Sequence, residues 1–169
     1  MTISPTRRQS LQWFGAGLLA ASGAPAALAD RAAQRRGWQD GPSLPFPVQE
    51  IYPTLHKGRV HLAGGFISQD GRITGPTAKH IALDPATGLW SPQPDLPIAR
   101  HHPQLVSLQG RLYCIGGFEA GERGTWLMQG DAWRFNETDQ AWDWAPSLPY
   151  PNGESTAGVG KNRLYLAGG

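Results

Sequence analysis

The feature that most constrains this chain is an internal repeat. Sliding the sequence against itself by 52 residues lays three copies over one another without a gap. Trp38, Trp90 and Trp142 coincide, as do Pro42, Pro94 and Pro146. The dipeptides Leu44-Pro45, Leu96-Pro97 and Leu148-Pro149 align, and so do Arg59, Arg111 and Arg163. The pairs Gly64-Gly65, Gly116-Gly117 and Gly168-Gly169 complete seven positions identical in all three copies. A period of this length marks a chain that stacks equivalent supersecondary units side by side.

Each unit alternates as short strands do. The runs RVHLAGG, RLYCIGG and RLYLAGG end in the Gly pair and follow turn signals at Lys57-Gly58, Gln109-Gly110 and Lys161-Asn162. HIALDPATGLW and AWRFNETDQAW are two further equivalents, each a strand, a turn at Asp84 or Asn136, and a strand opening on Trp90 or Trp142. Four strands per unit are predicted, about 50–55, 59–64, 78–83 and 89–92 in the first. No segment after the leader shows a helical period.

Composition agrees. The 22 Gly and 15 Pro make up about a fifth of the 169 residues, against a usual background of roughly 12%. Both residues break helices, which excludes a helical bundle. With 40% hydrophobic and 17% charged residues, the chain is too apolar for a disordered tail. The single Cys114 excludes an intramolecular disulfide framework and a multi-cysteine zinc site.

These units resemble the kelch family. Tyr113, Gly116-Gly117, Asn136 and Trp142 follow its pattern in order: a strand with an aromatic, a Gly pair, a turn Asp or Asn, and a Trp about six residues on. The resemblance covers residues 36–169 and implies an all-β, kelch-type β-propeller of four-stranded blades. The Gly pair then lets backbones pack where a side chain would collide. The Trp fills the gap between neighbouring blades, and the aligned arginines hold turns or pair between blades. Propellers have about four to eight blades, and residues 30–169 supply about 2.7 units, so the chain is expected to be the N-terminal part of a larger ring.

Residues 1–29 read as an export leader. Arg7 and Arg8 precede the weakly apolar stretch LQWFGAGLLAASGAPAALA, no acid interrupts it, and Ala27-Leu28-Ala29 offers a cleavage site. TRRQSLQ resembles the twin-arginine signal, although Ser10 and Gln12 stand where that signal favours Phe and Lys. A periplasmic or secreted location is expected. The run is too short and Gly/Ala-rich for a permanent membrane span. The leader arginines account for the net charge of +2; what remains is balanced, which gives no reason to expect a nucleic-acid partner.

The resemblance implies that ligands bind on one face, on the loop before each innermost strand and the loop after each Gly pair. The first loop falls at Val48-Gln49-Glu50, Arg100-His101-His102 and Asn152-Gly153-Glu154. Glu50, His102 and Glu154 are 52 apart, so symmetry gathers two carboxylates and an imidazole at one mouth, a set suited to acid/base work or sugar binding. The second loop, residues 66–76 and 118–130, offers Glu119, Arg123 and Trp126. Arg100, His101 and Trp126 complete the candidate ligand-binding residues.

Adjacent side chains on a strand point to opposite faces, so His101 and His102 are not expected to share a metal, and no metal or cofactor is expected. The predicted function is binding of a carbohydrate or protein ligand. A sugar-modifying enzyme resembling the sialic-acid mutarotases is the rival, with Glu50, Arg100, His102 and Glu154 as its proton-transfer candidates. The galactose-oxidase type, with a Tyr–Cys cross-link and copper, is less supported, because Cys114 reads as a buried structural thiol.

Overall fold

The computed structural model describes residues 40–169. The export leader assigned to residues 1–29 and the first repeat tryptophan, Trp38, lie outside the described residues. The compact unit runs from Gly41 to Gly169.

Its strands follow the repeat. β1 (Val48–Gln49), β2 (Thr54–His56), β3 (Arg59–Ala63), β4 (Phe66–Gln69), β5 (Arg72–Pro76), β6 (His80–Asp84) and β7 (Leu89–Gln93) belong to the first unit. β8 (Gln104–Leu108), β9 (Arg111–Ile115), β10 (Phe118–Ala120), β11 (Trp126–Met128), β12 (Ala132–Asn136) and β13 (Ala141–Ala145) belong to the second. β14 (Ser155–Gly160) and β15 (Arg163–Gly168) belong to the third. Two four-stranded sheets have the orders β2-β3-β6-β7 and β8-β9-β12-β13, every neighbour antiparallel, and β14-β15 is a two-stranded sheet. These are blades in which the chain runs up and down from an innermost to an outermost strand.

Two-residue turns join the first strands of each blade. Both turn residues are left-handed: Lys57 and Gly58 (φ 47° and 78°), Gln109 and Gly110 (50° and 71°), Lys161 and Asn162 (46° and 60°). That geometry matches the twist of the flanking strands. At the outer turns, Asp84 Oδ1 accepts from the Ala86 N–H at 2.8 Å, and Asn136 Oδ1 accepts from Thr138 and Asp139 at 3.1 and 3.2 Å.

The Gly pair locks blade to blade. The first glycine donates within its blade, Gly64 to the Lys79 carbonyl and Gly116 to that of Asp131, both at 3.0 Å. The second donates across, Gly65 to the Arg100 carbonyl and Gly117 to that of Asn152, both at 2.8 Å. All four partners keep the 52-residue offset. A Cβ on Gly64 would sit 2.6 Å from the Arg100 oxygen, and one on Gly116 would sit 2.3 Å from that of Asn152. No larger residue fits, quite apart from the left-handed φ.

The tryptophan also bridges. Trp142 on β13 is 9% exposed and donates its indole N–H to the Pro94 carbonyl at 3.0 Å. Trp90 does the same to Pro42 at 3.4 Å. Trp142 and Phe135 pack with Ala63 and Leu96 in a core that also holds Leu105, Leu112, Cys114 and Trp133. The aligned arginines depart from expectation. Arg59 binds inside its own blade, to Ser91 Oγ at 2.5 Å and the Ala82 carbonyl at 3.4 Å, while Arg111 and Arg163 are exposed.

Three buried histidines run through the first blade to the seam with the second. His80 Nδ1 lies 3.2 Å from the Pro94 carbonyl, which can only accept, so Nδ1 carries the proton. Its Nε2 then accepts from His61 Nδ1 at 2.9 Å. His56 beside them reaches Ser107 Oγ at 2.9 Å and Glu137 Oε1 at 3.0 Å, both on the second blade. Burial lowers the pKa of His61 to about 4 and that of His80 to about 3, helped by the neighbouring imidazoles.

Two expectations are corrected. The segments after the Gly pairs are antiparallel hairpins, β4–β5 with β1 added at its edge, and β10–β11. Their glycines and charged tips hid a pairing that β-branched and aromatic residues at their bases make possible. The innermost strand of the first blade begins at Thr54 rather than near residue 50, because Glu50 is left-handed (φ 58°) and leaves the extended conformation. The helical content of the described residues is one 3₁₀ turn at Glu122–Gly124. No helix among them is long and apolar enough to cross a membrane.

Candidate functional site at the loop mouth

Glu50, His102 and Glu154 each stand just before an innermost strand. All three have left-handed backbone, φ 58°, 53° and 52°. Non-glycine residues adopt this conformation at a cost and concentrate it at functional sites. His102 is mostly buried there, Glu50 partly exposed and Glu154 exposed. The His102 N–H donates to the Glu50 carbonyl at 3.3 Å, fixing the two loops together.

The side chains converge. Glu50 Oε2 lies 3.3 Å from His102 Nδ1 and 3.7 Å from His101 Nδ1, and His102 Nε2 lies 4.0 Å from Glu154 Oε1. His102 thus stands between two carboxylates. Tyr52 flanks it with ring centroids 5.9 Å apart. Burial, then Glu154 and Glu50, raise the Tyr52 phenol above its ordinary pKa.

His101 departs from expectation. It is not in a strand; it forms an isolated bridge to Phe118, and His102 beyond it is left-handed. The alternation of side chains therefore fails here, and the two Nδ1 atoms meet at 2.7 Å. The His101 ring is stacked between Phe66 (centroids 4.0 Å) and Phe118 (5.1 Å), with Trp126 edge-on at 4.6 Å. Burial, and secondarily His102, lower its pKa to about 4.

The two hairpins supply this aromatic wall. Phe66 opens β4, Phe118 opens β10, and Trp126 opens β11. Trp126 keeps 45% of its surface exposed, beside Leu127 and Met128. Arg123 projects at the tip of the second hairpin in the 3₁₀ turn, itself left-handed (φ 54°).

Arg100 and Glu119 are placed differently. Arg100 has no exposed surface. It donates to the Gly116 carbonyl at 3.1 Å, Glu119 Oε1 at 2.5 Å and Asp131 Oδ2 at 2.7 Å, and its guanidinium lies 4.1 Å from the Trp133 ring. Its charge is spent inside the second unit, and Glu119 is held with it. Neither reaches the mouth as a free group. Cys114 is fully buried, and burial pushes its thiol up to about 12. That is the setting of a structural thiol.

Sequence reasoning missed Phe66, Phe118 and Tyr52. The first two had a signal: each follows a Gly pair, 52 residues apart. Tyr52 has no repeat counterpart and had none.

No family model matches the chain. Among curated proteins, the Kelch-like protein terF of Aspergillus terreus is 27% identical over 137 residues, 78% of this chain and 30% of its own length. The Kelch-like protein 40 of Xenopus tropicalis is 36% identical over 110 residues, 63% of this chain and 17% of its own length. The chain thus spans less than a third of these relatives. The solved structure of YjhT superposes with a TM-score of 0.62 at 18% identity, covering 76% of this chain and 36% of that one. The repeats are kelch-like and the sheets are blades of a β-propeller.

Proposed function

We propose that the chain is part of an exported kelch propeller that binds a carbohydrate on the face carrying Glu50, His102, Glu154 and Trp126. One observation carries this reading: repeat-related carboxylates flank an imidazole beside an aromatic cluster whose Trp126 is half-exposed. Carboxylate oxygens accept from sugar hydroxyls, and the apolar face of a pyranose rests on an aromatic ring. Export through the twin-arginine leader is part of the proposal. Replacing Arg7 and Arg8 by lysine should keep the protein in the cytoplasm.

The test is calorimetric titration of the full chain with a panel of neutral and acidic monosaccharides. A member of the panel should bind, and Trp126→Ala should weaken it at least tenfold. Binding to a protein rather than a sugar is the outcome if the panel fails and a pulled-down partner loses affinity with the same variant.

A second reading is favoured by the placing of His102 between Glu50 and Glu154. A sugar ring opens and closes when one group takes the proton of the anomeric hydroxyl while another protonates the ring oxygen. The mouth offers such groups on both sides of one imidazole, as a sialic-acid mutarotase-like enzyme would need.

A further inference from the structure

Within the mouth, Glu50, His101 and His102 have a chemistry of their own. Among the described residues they are the one group of three or more His, Cys, Asp or Glu side chains whose ligand atoms all lie within 4.8 Å of one another. The triangle of Glu50 Oε2, His101 Nδ1 and His102 Nδ1 has edges of 2.7, 3.3 and 3.7 Å. Three donors at 2.0–2.1 Å from a tetrahedral zinc ion stand about 3.3 Å apart. The edges bracket that value.

The triangle is also short of protons. A single proton shared between the two Nδ1 atoms satisfies that contact alone. Glu50 Oε2 is then left facing the imidazoles, and it is buried with no hydrogen-bond partner. His101 Nε2 is also unpartnered, but either tautomer leaves it so, and it decides nothing. A cation at the centre of the triangle answers all three lone pairs at once.

We propose that Glu50, His101 and His102 hold one divalent transition ion of the zinc class, with a coordination position open to the mouth. Two imidazole nitrogens and one carboxylate oxygen suit zinc or its first-row neighbours and not calcium or magnesium, which take oxygen sets. The donors are held in place. His101 is stacked between Phe66 and Phe118, and the Glu50 and His102 loops are tied by the bond from the His102 N–H to the Glu50 carbonyl. Glu154 Oε1 lies on the side of the other ring nitrogen, 4.0 Å from His102 Nε2, close enough for a small movement of this exposed carboxylate to give a metal-bound histidine its carboxylate partner.

The test reads the metal and is independent of any sugar. The full chain is stripped with a chelator and titrated with Zn²⁺, and Co²⁺ is used separately for its visible spectrum. One ion should bind per chain, with Co²⁺ bands of a four-coordinate nitrogen–oxygen set. Glu50→Gln and His102→Asn should each weaken Zn²⁺ at least tenfold. Asn tolerates the left-handed backbone at position 102, and circular dichroism checks the fold. If His102→Asn does not fold, the near-isosteric Glu50→Gln carries the test alone. Absence of saturable binding near one ion per chain overturns the proposal, as does Zn²⁺ binding equally well to the folded variants.

Discussion

Glu50 and His102 stand 52 residues apart in sequence and 3.3 Å apart in space, carboxylate Oε2 to imidazole Nδ1. The second follows from the first. Equal places in successive blades share the same left-handed bend, φ 58° and 53°, and the bend brings their side chains to the same seam. Glu154 repeats the bend on the third blade and faces the other nitrogen of His102.

That arrangement separates the binder from the enzyme. In a binder, Glu154→Gln removes one charge-assisted hydrogen bond and weakens the sugar by roughly ten- to a hundredfold, about 1.5–3 kcal/mol. In a mutarotase it removes a proton carrier, and the turnover rate should fall by about 10²–10⁴-fold with a smaller change in KM. Polarimetry of a freshly dissolved anomer distinguishes the two.

The blade contacts make a stability prediction. Trp142→Ala removes a buried indole from the seam together with its bond to Pro94, and should cost ~3–5 kcal/mol. Trp144, on the same strand but 68% exposed, should cost well under 1 kcal/mol when replaced by alanine. Urea unfolding of the two variants tests the difference.

Arg100 gives a second. Arg100→Met leaves Glu119 and Asp131 without their shared cation and should destabilise by ~3 kcal/mol. Ligand affinity should hardly change in the protein that remains folded, because Arg100 has no exposed surface. A large loss of affinity at unchanged stability would show that Arg100 reaches the ligand after all.

The histidine seam sets the pH dependence. His61 and His80 have folded pKa values lowered to about 4 and about 3 from an ordinary 6.5. Below pH 6.5 the unfolded chain takes up protons that the folded chain refuses, so their contribution is full above 6.5 and is lost as pH falls toward 3. His101, lowered to about 4, acts in the same direction. Melting temperatures should be level above pH 6.5 and fall from there to pH 4, and His80→Leu should flatten that slope.

The fold was legible because the repeat is strict. Trp, Gly pair and turn Asp or Asn each perform one packing task per blade, and equal tasks demand equal residues. The same symmetry brings Glu50, His102 and Glu154 to one place in successive blades. What sequence could not show was local. Whether His101 and His102 diverge or converge depends on one backbone dihedral at His102, and a positive φ there reverses what strand alternation predicts. Arg100 reads as a polar loop residue; only its pairing with Glu119 and Asp131, from later strands of the same unit, reveals that it is buried. The hairpins after the Gly pairs were obscured by their glycine-rich tips.

The five histidines allow one direct measurement of the central claim. His101 and His102 lie at the mouth, while His56, His61 and His80 lie in the seam. Imidazole carbon–proton NMR spectra of the full chain would be recorded as the monosaccharide panel, including N-acetylneuraminate, is added. A binding sugar is predicted to shift the His101 and His102 signals and leave the other three in place. A sugar that binds while moving only the seam histidines, or a panel in which nothing moves any of the five, would contradict a carbohydrate site at this mouth.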